Sequence, residues 1–176
     1  MNSSYYYQVR DASTIVHELN TFVHENRGLD YWTPLDYEEA HWDACLEVPL
    51  ELLDQDPFLA WLRTKVPFTG GMLRMAPWTN YAWHKDYQRG CSLNLLLSDP
   101  RDSRCLFRHS PSNQIHGMFR TVPVEYSQTH YMCLNTQIEH SVFNWGRERF
   151  ILTLHFECSL EEFTYTDLLK LVLSRR

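Results

Sequence analysis

A chain of 176 residues with a formal net charge of -6 has the length of one domain and no basic surplus for gripping a nucleic-acid backbone. Hydrophobic residues make up 44% and charged residues 22%, as in soluble globular proteins, and no stretch is long and apolar enough for a membrane-spanning helix. Five scattered cysteines (Cys45, Cys91, Cys105, Cys133, Cys158) form no Cys-x-x-Cys pair, which argues against a disulfide framework or a zinc knuckle and for a reducing compartment.

The first seven residues lack the apolar run of a signal peptide, so the expected location is the cytoplasm. Residues 1–11 read as an extended lead-in, an edge strand through three tyrosines. Asp11 or Ser13 then caps a helix over 13–26, whose stripe is Ile15, Leu19, Phe22 and Val23, with Gly28 as a left-handed terminator. Residues 29–49 are rich in Trp and Tyr and give no clear period. Between Pro49 and Val66 the leucines and Pro57 predict two short helices.

After Gly70-Gly71 the period changes from helical to strand-like. Strands are expected at 71–75, 81–86, 91–97, 104–108, 118–126, 130–134, around His140 and at 149–156. Turns or loops are expected at 77–80, 98–103, 109–117, 135–136 and around Gly146. Ser159-Leu160-Glu161-Glu162 reads as a capping box opening a C-terminal helix with Leu168, Leu169, Val172 and Leu173. The expected architecture is mainly β with flanking helices, a jelly-roll or cupin-like barrel, in one domain spanning 1–176. Its helical N-terminal support covers about 12–66, the barrel about 70–157 and the C-terminal helix about 160–174.

Three residues stand out as metal ligands. In a strand, His84 and Asp86 share one face, and two such groups can chelate a cation from the same side. His140 supplies a third, and two histidines with one carboxylate make the facial triad of non-haem iron(II) oxygenases. In the last strand Phe150, Leu152, Leu154 and Phe156 face a core, so Arg149, Ile151, Thr153 and His155 face the barrel interior. A buried Arg149 needs an anion, either a protein carboxylate or a ligand. His109, His116 and His130 have no partner at ligand spacing. Trp78, Tyr81 and Trp145 lie beside the motifs, as core packing or as stacking surfaces.

The segment His140-Ser141-Val142-Phe143-Asn144 followed by Arg149-Phe150 resembles the His-x-Val-x-Asn…Arg pattern of the Fe(II)/2-oxoglutarate-dependent oxygenases, in their aspartyl/asparaginyl β-hydroxylase-like and prolyl-hydroxylase-like branches. Trp83-His84-Lys85-Asp86 resembles their His-x-Asp element. The likeness spans about residues 70 to 156. It implies a double-stranded β-helix (the jelly-roll, cupin-like barrel) with Fe(II) on His84, Asp86 and His140, and 2-oxoglutarate on the metal with its far carboxylate on Arg149. It also implies O2 as oxidant, ascorbate as reductant, and hydroxylation of a C–H bond on an amino acid or a peptide or protein side chain. Many relatives carry Ser or Thr two residues after the arginine, where this chain has Ile151. Asn94, Thr153 or Arg74 are the candidate substitutes for holding the co-substrate.

Two other classes stay open. A cupin-like metal- or ligand-binding protein would hold a metal without oxygenase activity, and an isomerase or hydrolase of the same barrel type would not need oxygen. A nucleic-acid demethylase of the superfamily fits less well, because the chain is acidic and no second arginine follows Arg149 at the spacing those enzymes use. No nucleic-acid or membrane partner is expected, and the oligomeric state is not readable from the chain.

Overall fold

The computed structural model describes residues 4–28, 32–33, 42–109 and 119–175. In chain order its elements are β1 (Tyr6–Ala12), α1 (Val16–Asn26), β2 (Trp42–Val48), α2 (Leu50–Leu53), α3 (Pro57–Arg63), β3 (Phe68–Met75) and β4 (Thr79–His84). They continue as β5 (Ser92–Leu96), β6 (Ser103–His109), β7 (Arg120–Pro123), β8 (His130–Leu134), β9 (His140–Asn144), β10 (Arg149–Phe156) and α4 (Tyr165–Ser174). The strands form two antiparallel sheets, β1-β8-β5-β10-β3-β2 and β4-β9-β6-β7. The fold is a jelly-roll double-stranded β-helix.

β10 shows why the sequence folds this way. Phe150, Leu152, Leu154 and Phe156 alternate with Arg149, Ile151, Thr153 and His155, and a strand sends such sets to opposite faces. The apolar set packs with Ile15 and with Leu19, Leu59, Leu62 and Leu168 of the helices in the larger core. The other set lines a cavity with residues of the second sheet. A smaller core of Met75, Cys105, Phe107, Met132, Leu134 and Val142 joins the two sheets.

Asp56 ties the helical support to the barrel. One carboxylate oxygen caps α3 by accepting from Phe58 N (2.8 Å) and Leu59 N (3.2 Å). The other accepts from Thr14 N (2.9 Å), Ser13 Oγ (3.1 Å) and Tyr131 Oη (3.0 Å). With those donors satisfied, the carboxylate is tolerated at 1% exposure.

Several local expectations are corrected. Ile15 precedes α1 with no side-chain cap: Ser13 is engaged with Asp56, and Asp11 pairs with Arg175. α1 stops in a right-handed conformation at Arg27, and Gly28 does not take the left-handed one. β2 lies in the segment that gave no period, of which residues 29–31 and 34–41 fall outside the described residues. The expected strand over 118–126 reduces to β7, and the expected loop over 109–117 lies outside the description from residue 110.

The Ser159–Glu162 box does form, with reciprocal hydrogen bonds of 2.9 and 3.3 Å, but it closes only a turn. A second box, Thr164–Asp167, opens α4. The first turn lies against Gly90, where a Cβ would meet the Phe163 and Leu160 carbonyl oxygens at 2.8 and 2.9 Å. Among the described residues, no helix is long and apolar enough to cross a membrane.

Candidate metal centre

β4 and β9 pair so that His84 stands opposite His140, with their rings 4.2 Å apart. The register shifts between Tyr81 and His84, and Ser141 Oγ donates to the Tyr81 carbonyl at 2.6 Å in this irregular stretch. β4 ends at His84, so Asp86 is not on a strand face as its spacing suggested. It lies in the following loop and is brought to the histidines by the β8–β9 turn. Asp86 N donates to the Thr136 carbonyl (3.1 Å), Gln137 Nε2 donates to the carbonyls of Asp86 (2.8 Å) and Arg89 (3.0 Å), and Thr136 Oγ1 donates to Arg89 O (2.7 Å).

The ligand atoms of His84, Asp86 and His140 all lie within 4.8 Å of one another. Asp86 Oδ1 is 3.3 Å from His84 Nε2 and 3.7 Å from His140 Nε2. Each histidine donates from Nδ1 to the carbonyl two residues upstream, Ala82 (2.8 Å) for His84 and Ile138 (3.0 Å) for His140. A carbonyl only accepts, so Nδ1 carries the proton and the Nε2 lone pair points at the common centre.

Charge completes the arrangement. Burial opposes ionisation of Asp86, but Arg89 foremost, with the neighbouring His84 and His140, holds its carboxyl well below the usual carboxylate range. His140 is pushed down to about 4, by burial first and then by His84, against the pull of Asp86. At neutral pH the centre therefore offers His140 as a neutral imidazole and Asp86 as a carboxylate. These are the protonation states that a divalent metal needs.

The centre opens on a cavity of about 570 Å³ between the two sheets. At its inner end Arg149 is only 1% exposed, donates Nε–H to Ser103 Oγ (3.1 Å) and lies over the Tyr126 ring (5.6 Å). Tyr126 is hydrogen-bonded to Arg149 and Asn94, and burial pushes its hydroxyl up, so it remains a protonated donor. Asn144 fixes the approach to Arg149 by donating to the carbonyls of Ala76 (2.7 Å), Arg147 (2.9 Å) and Met75 (3.2 Å).

His84, Asp86, His140, Arg149, Asn94 and Thr153 all line this cavity. Arg74 does not. It lies on the opposite face of β3 from Leu73, with its guanidinium over Trp32 at 5.2 Å, and it is withdrawn as a co-substrate contact. Thr153 faces the cavity but accepts from Arg89 Nη1 at 2.8 Å. Its hydroxyl therefore serves the metal loop before any acid.

Sequence reasoning missed Arg89, which donates Nε–H to Asp86 Oδ2 at 2.5 Å. Its position three residues after Asp86 was the available signal. Tyr126, Ser92 and Ser103 were also missed, being hydroxyls with no motif around them. His155 lines the cavity from an exposed position. Trp78 is 81% exposed and Trp145 40%, while Tyr81 packs edge-on against His84 at 4.0 Å.

No family model matches the sequence, and no protein of curated function matches it. Solved structures do match. A prolyl-4-hydroxylase from Pseudomonas putida superposes with a TM-score of 0.61 at 19% identity, over 86% of this chain and 91% of that one. The two chains share a fold. A prolyl hydroxylase from Trichoplax adhaerens, solved with a hypoxia inducible factor peptide, gives 0.65 at 12% identity over 99% and 89% of the two chains. A viral collagen prolyl hydroxylase from Paramecium Bursaria Chlorella virus-1, solved with 2OG, gives 0.54 at 11% identity over 86% and 95%. At these identities the likeness establishes the double-stranded β-helix that Fe(II)/2-oxoglutarate oxygenases share.

Proposed function

We propose that this chain is a non-haem Fe(II)- and 2-oxoglutarate-dependent dioxygenase that hydroxylates a C–H bond of an amino acid or of a peptide or protein side chain. The observation that carries the reading is the convergence of His84 Nε2, His140 Nε2 and Asp86 Oδ1, with both Nδ1 atoms anchored to backbone carbonyls. Three ligands on one side leave positions open toward the cavity, which is the arrangement of a facial triad.

The residues present fit the two absent groups. His84, Asp86 and His140 supply a nitrogen and oxygen donor set suited to Fe(II). At the inner end, the Arg149 guanidinium and the Tyr126 hydroxyl can hold a carboxylate. The buried Ser92 Oγ has no hydrogen-bond partner among the described residues and can donate to the same acid. Ser103 takes over the orienting task that Ile151 cannot perform, because its hydroxyl already accepts from Arg149 Nε.

When bound, the iron would supply oxygen activation at the expense of 2-oxoglutarate, which leaves as succinate and carbon dioxide. The protein orients and excludes water. Leu134, Val142 and Ile151 form apolar wall between the two ends, and the anchored imidazoles keep their lone pairs aimed as the site fills. The fold shared with a peptide-bound hydroxylase supports a peptide or protein substrate, and cytoplasmic location is part of this proposal.

The test is succinate formation from 2-oxoglutarate with Fe(II), ascorbate and oxygen. Turnover that disappears in His140→Ala, and a KM for 2-oxoglutarate raised at least tenfold in Arg149→Lys, are expected. Turnover that is indifferent to both substitutions would overturn the reading. Stoichiometric metal binding with no succinate under any substrate would hand the site to the metal-binding alternative.

A further inference from the structure

The side chains that line the cavity carry an imbalance of charge. Among the described lining residues Asp86 is the single carboxylate, facing Arg89, Arg149 and Lys85. Once the proposed groups are in place, the balance can be followed through the cavity. The two positive charges of a divalent metal are matched by Asp86 and by the acid end of 2-oxoglutarate that ligates it. The far carboxylate of the co-substrate is matched by Arg149. The partner that Arg89 has in this structure, Asp86, has then given its charge to the metal, and the Arg89 guanidinium is left without a counter-ion.

Its geometry leaves it able to take one. Arg89 spends Nε on Asp86 Oδ2 (2.5 Å) and Nη1 on Thr153 Oγ1 (2.8 Å). Both bonds fix the planar fork in the cavity wall. Nη2 has no partner among the described residues, and the side chain is 22% exposed in a position that lines the cavity. Lys85 adds a second cation at an exposed position of the same wall. An unbalanced guanidinium in a partly desolvated wall is costly, and a bound anion relieves that cost.

Resting on the function proposed above, we infer that Arg89, fixed in the cavity wall between Asp86 and Thr153, binds a carboxylate of the substrate beside the metal. Of the two cations left uncompensated, Lys85 is exposed and Arg89 alone is fixed beside the metal, which suits a monoanionic carboxylate better than a phosphate dianion. Substrates carrying a cation near the reacting carbon, such as a lysine side chain, are repelled. The carboxylate belongs either to the free end of an amino acid or to an Asp or Glu side chain in a peptide.

The test is calorimetric and needs no turnover. Protein loaded with Zn(II) and then with N-oxalylglycine, an inert isostere of 2-oxoglutarate, is titrated with matched acids and amides. N-acetyl-leucine against N-acetyl-leucinamide probes a terminal carboxylate. N-acetyl-aspartic acid α-amide against N-acetyl-asparagine amide probes a side-chain carboxylate. N-acetyl-lysinamide is the cationic control.

At least one acid is expected to bind about tenfold tighter than its amide. The arm that shows the preference identifies the source of the carboxylate. The preference should collapse in Arg89→Gln, which keeps an N–H donor for Asp86 but carries no charge. Equal binding of acids and amides, best binding by the lysine derivative, or a preference that survives Arg89→Gln overturns the inference; so does failure of every acid to bind in the millimolar range. Zn(II) and N-oxalylglycine binding are read in the same titrations. Their failure sinks the proposed function and this inference with it, whereas their success without an acid preference sinks this inference alone.

Discussion

The two sheets divide the work of the molecule unequally. The six-stranded sheet carries apolar residues on its outer face against four helices, and every residue of β5 is buried. Among the described residues, no helix packs over the four-stranded sheet. Its buried positions include His140, Ser141, Asn144 and Ser103, and Trp83, Phe119 and the Arg108–Glu139 pair lie on or beside its strands. The six-stranded sheet carries most of the cohesion, while the metal-facing histidines His84 and His140 stand on the other. Polar side chains are affordable in the second because the first supplies most of the buried apolar area.

Breaking the chemistry should leave the cohesion intact. His140→Ala is expected to reduce metal-dependent turnover to background while the denaturation midpoint of the metal-free protein stays close to that of the parent. A large fall in that midpoint would show that the four-stranded sheet stabilises more than this division allows. The reverse change is Leu152→Ala on the helix-facing side of β10. It should cost about 2–5 kcal/mol in denaturant unfolding, through lost transfer free energy and the cavity left behind, with Zn(II) affinity unchanged under native conditions. Asp56→Ala lies on the same side and should cost about 1–3 kcal/mol, since it removes the α3 cap and leaves Tyr131 without its acceptor. If Asp56→Ala also abolished metal binding, the two regions would not be separable.

How much of this was legible before any coordinates is best judged residue by residue. β10 was fully readable, because an apolar set of period two with Arg149 on the other side has one sensible orientation in a barrel. His84 and Asp86 were found for a reason that proved incomplete. Their spacing suggested a strand face, whereas Asp86 is placed by Thr136 and Gln137, fifty residues away, and no local pattern encodes that. Arg74 was misplaced because composition alone does not say which face of β3 looks inward. Arg89 was overlooked because an arginine in a Gly-containing turn is ordinarily solvated. The capping signal at Ser159 was correctly recognised and wrongly extended, and the close approach of Gly90 to that turn is a tertiary fact.

Acid should weaken the chemical side first. In the metal-free protein His140 stays neutral down to about 4, while in the unfolded chain an imidazole takes up a proton near its ordinary value of about 6.5. The unfolded state binds more protons across that window, so stability falls as pH drops from about 6.5 to about 4 and this contribution levels off below. Asp86, also held below its ordinary value, adds a further loss as pH falls through the carboxylate range. Urea midpoints measured across pH 4 to 7 check this, and a midpoint that rises on acidification contradicts it. The smallest effect is expected at Trp78, which enters β4 with a φ of 60° and lies mostly in solvent. Trp78→Gly relieves that conformation and buries nothing less, so stability should change by under about 1 kcal/mol.

The carboxylate of Asp56 has a consequence for the order in which the chain assembles. Its partners Ser13 and Thr14 are made before it, but Tyr131 follows 75 residues later. At a synthesis rate of about 5–20 residues per second, Asp56 waits roughly 4–15 s for that hydroxyl. During that interval the carboxylate must stay in water, because its burial depends on a strand that does not yet exist. The helical support therefore cannot close on the barrel until β8 arrives. The first third of the protein completes its packing almost last.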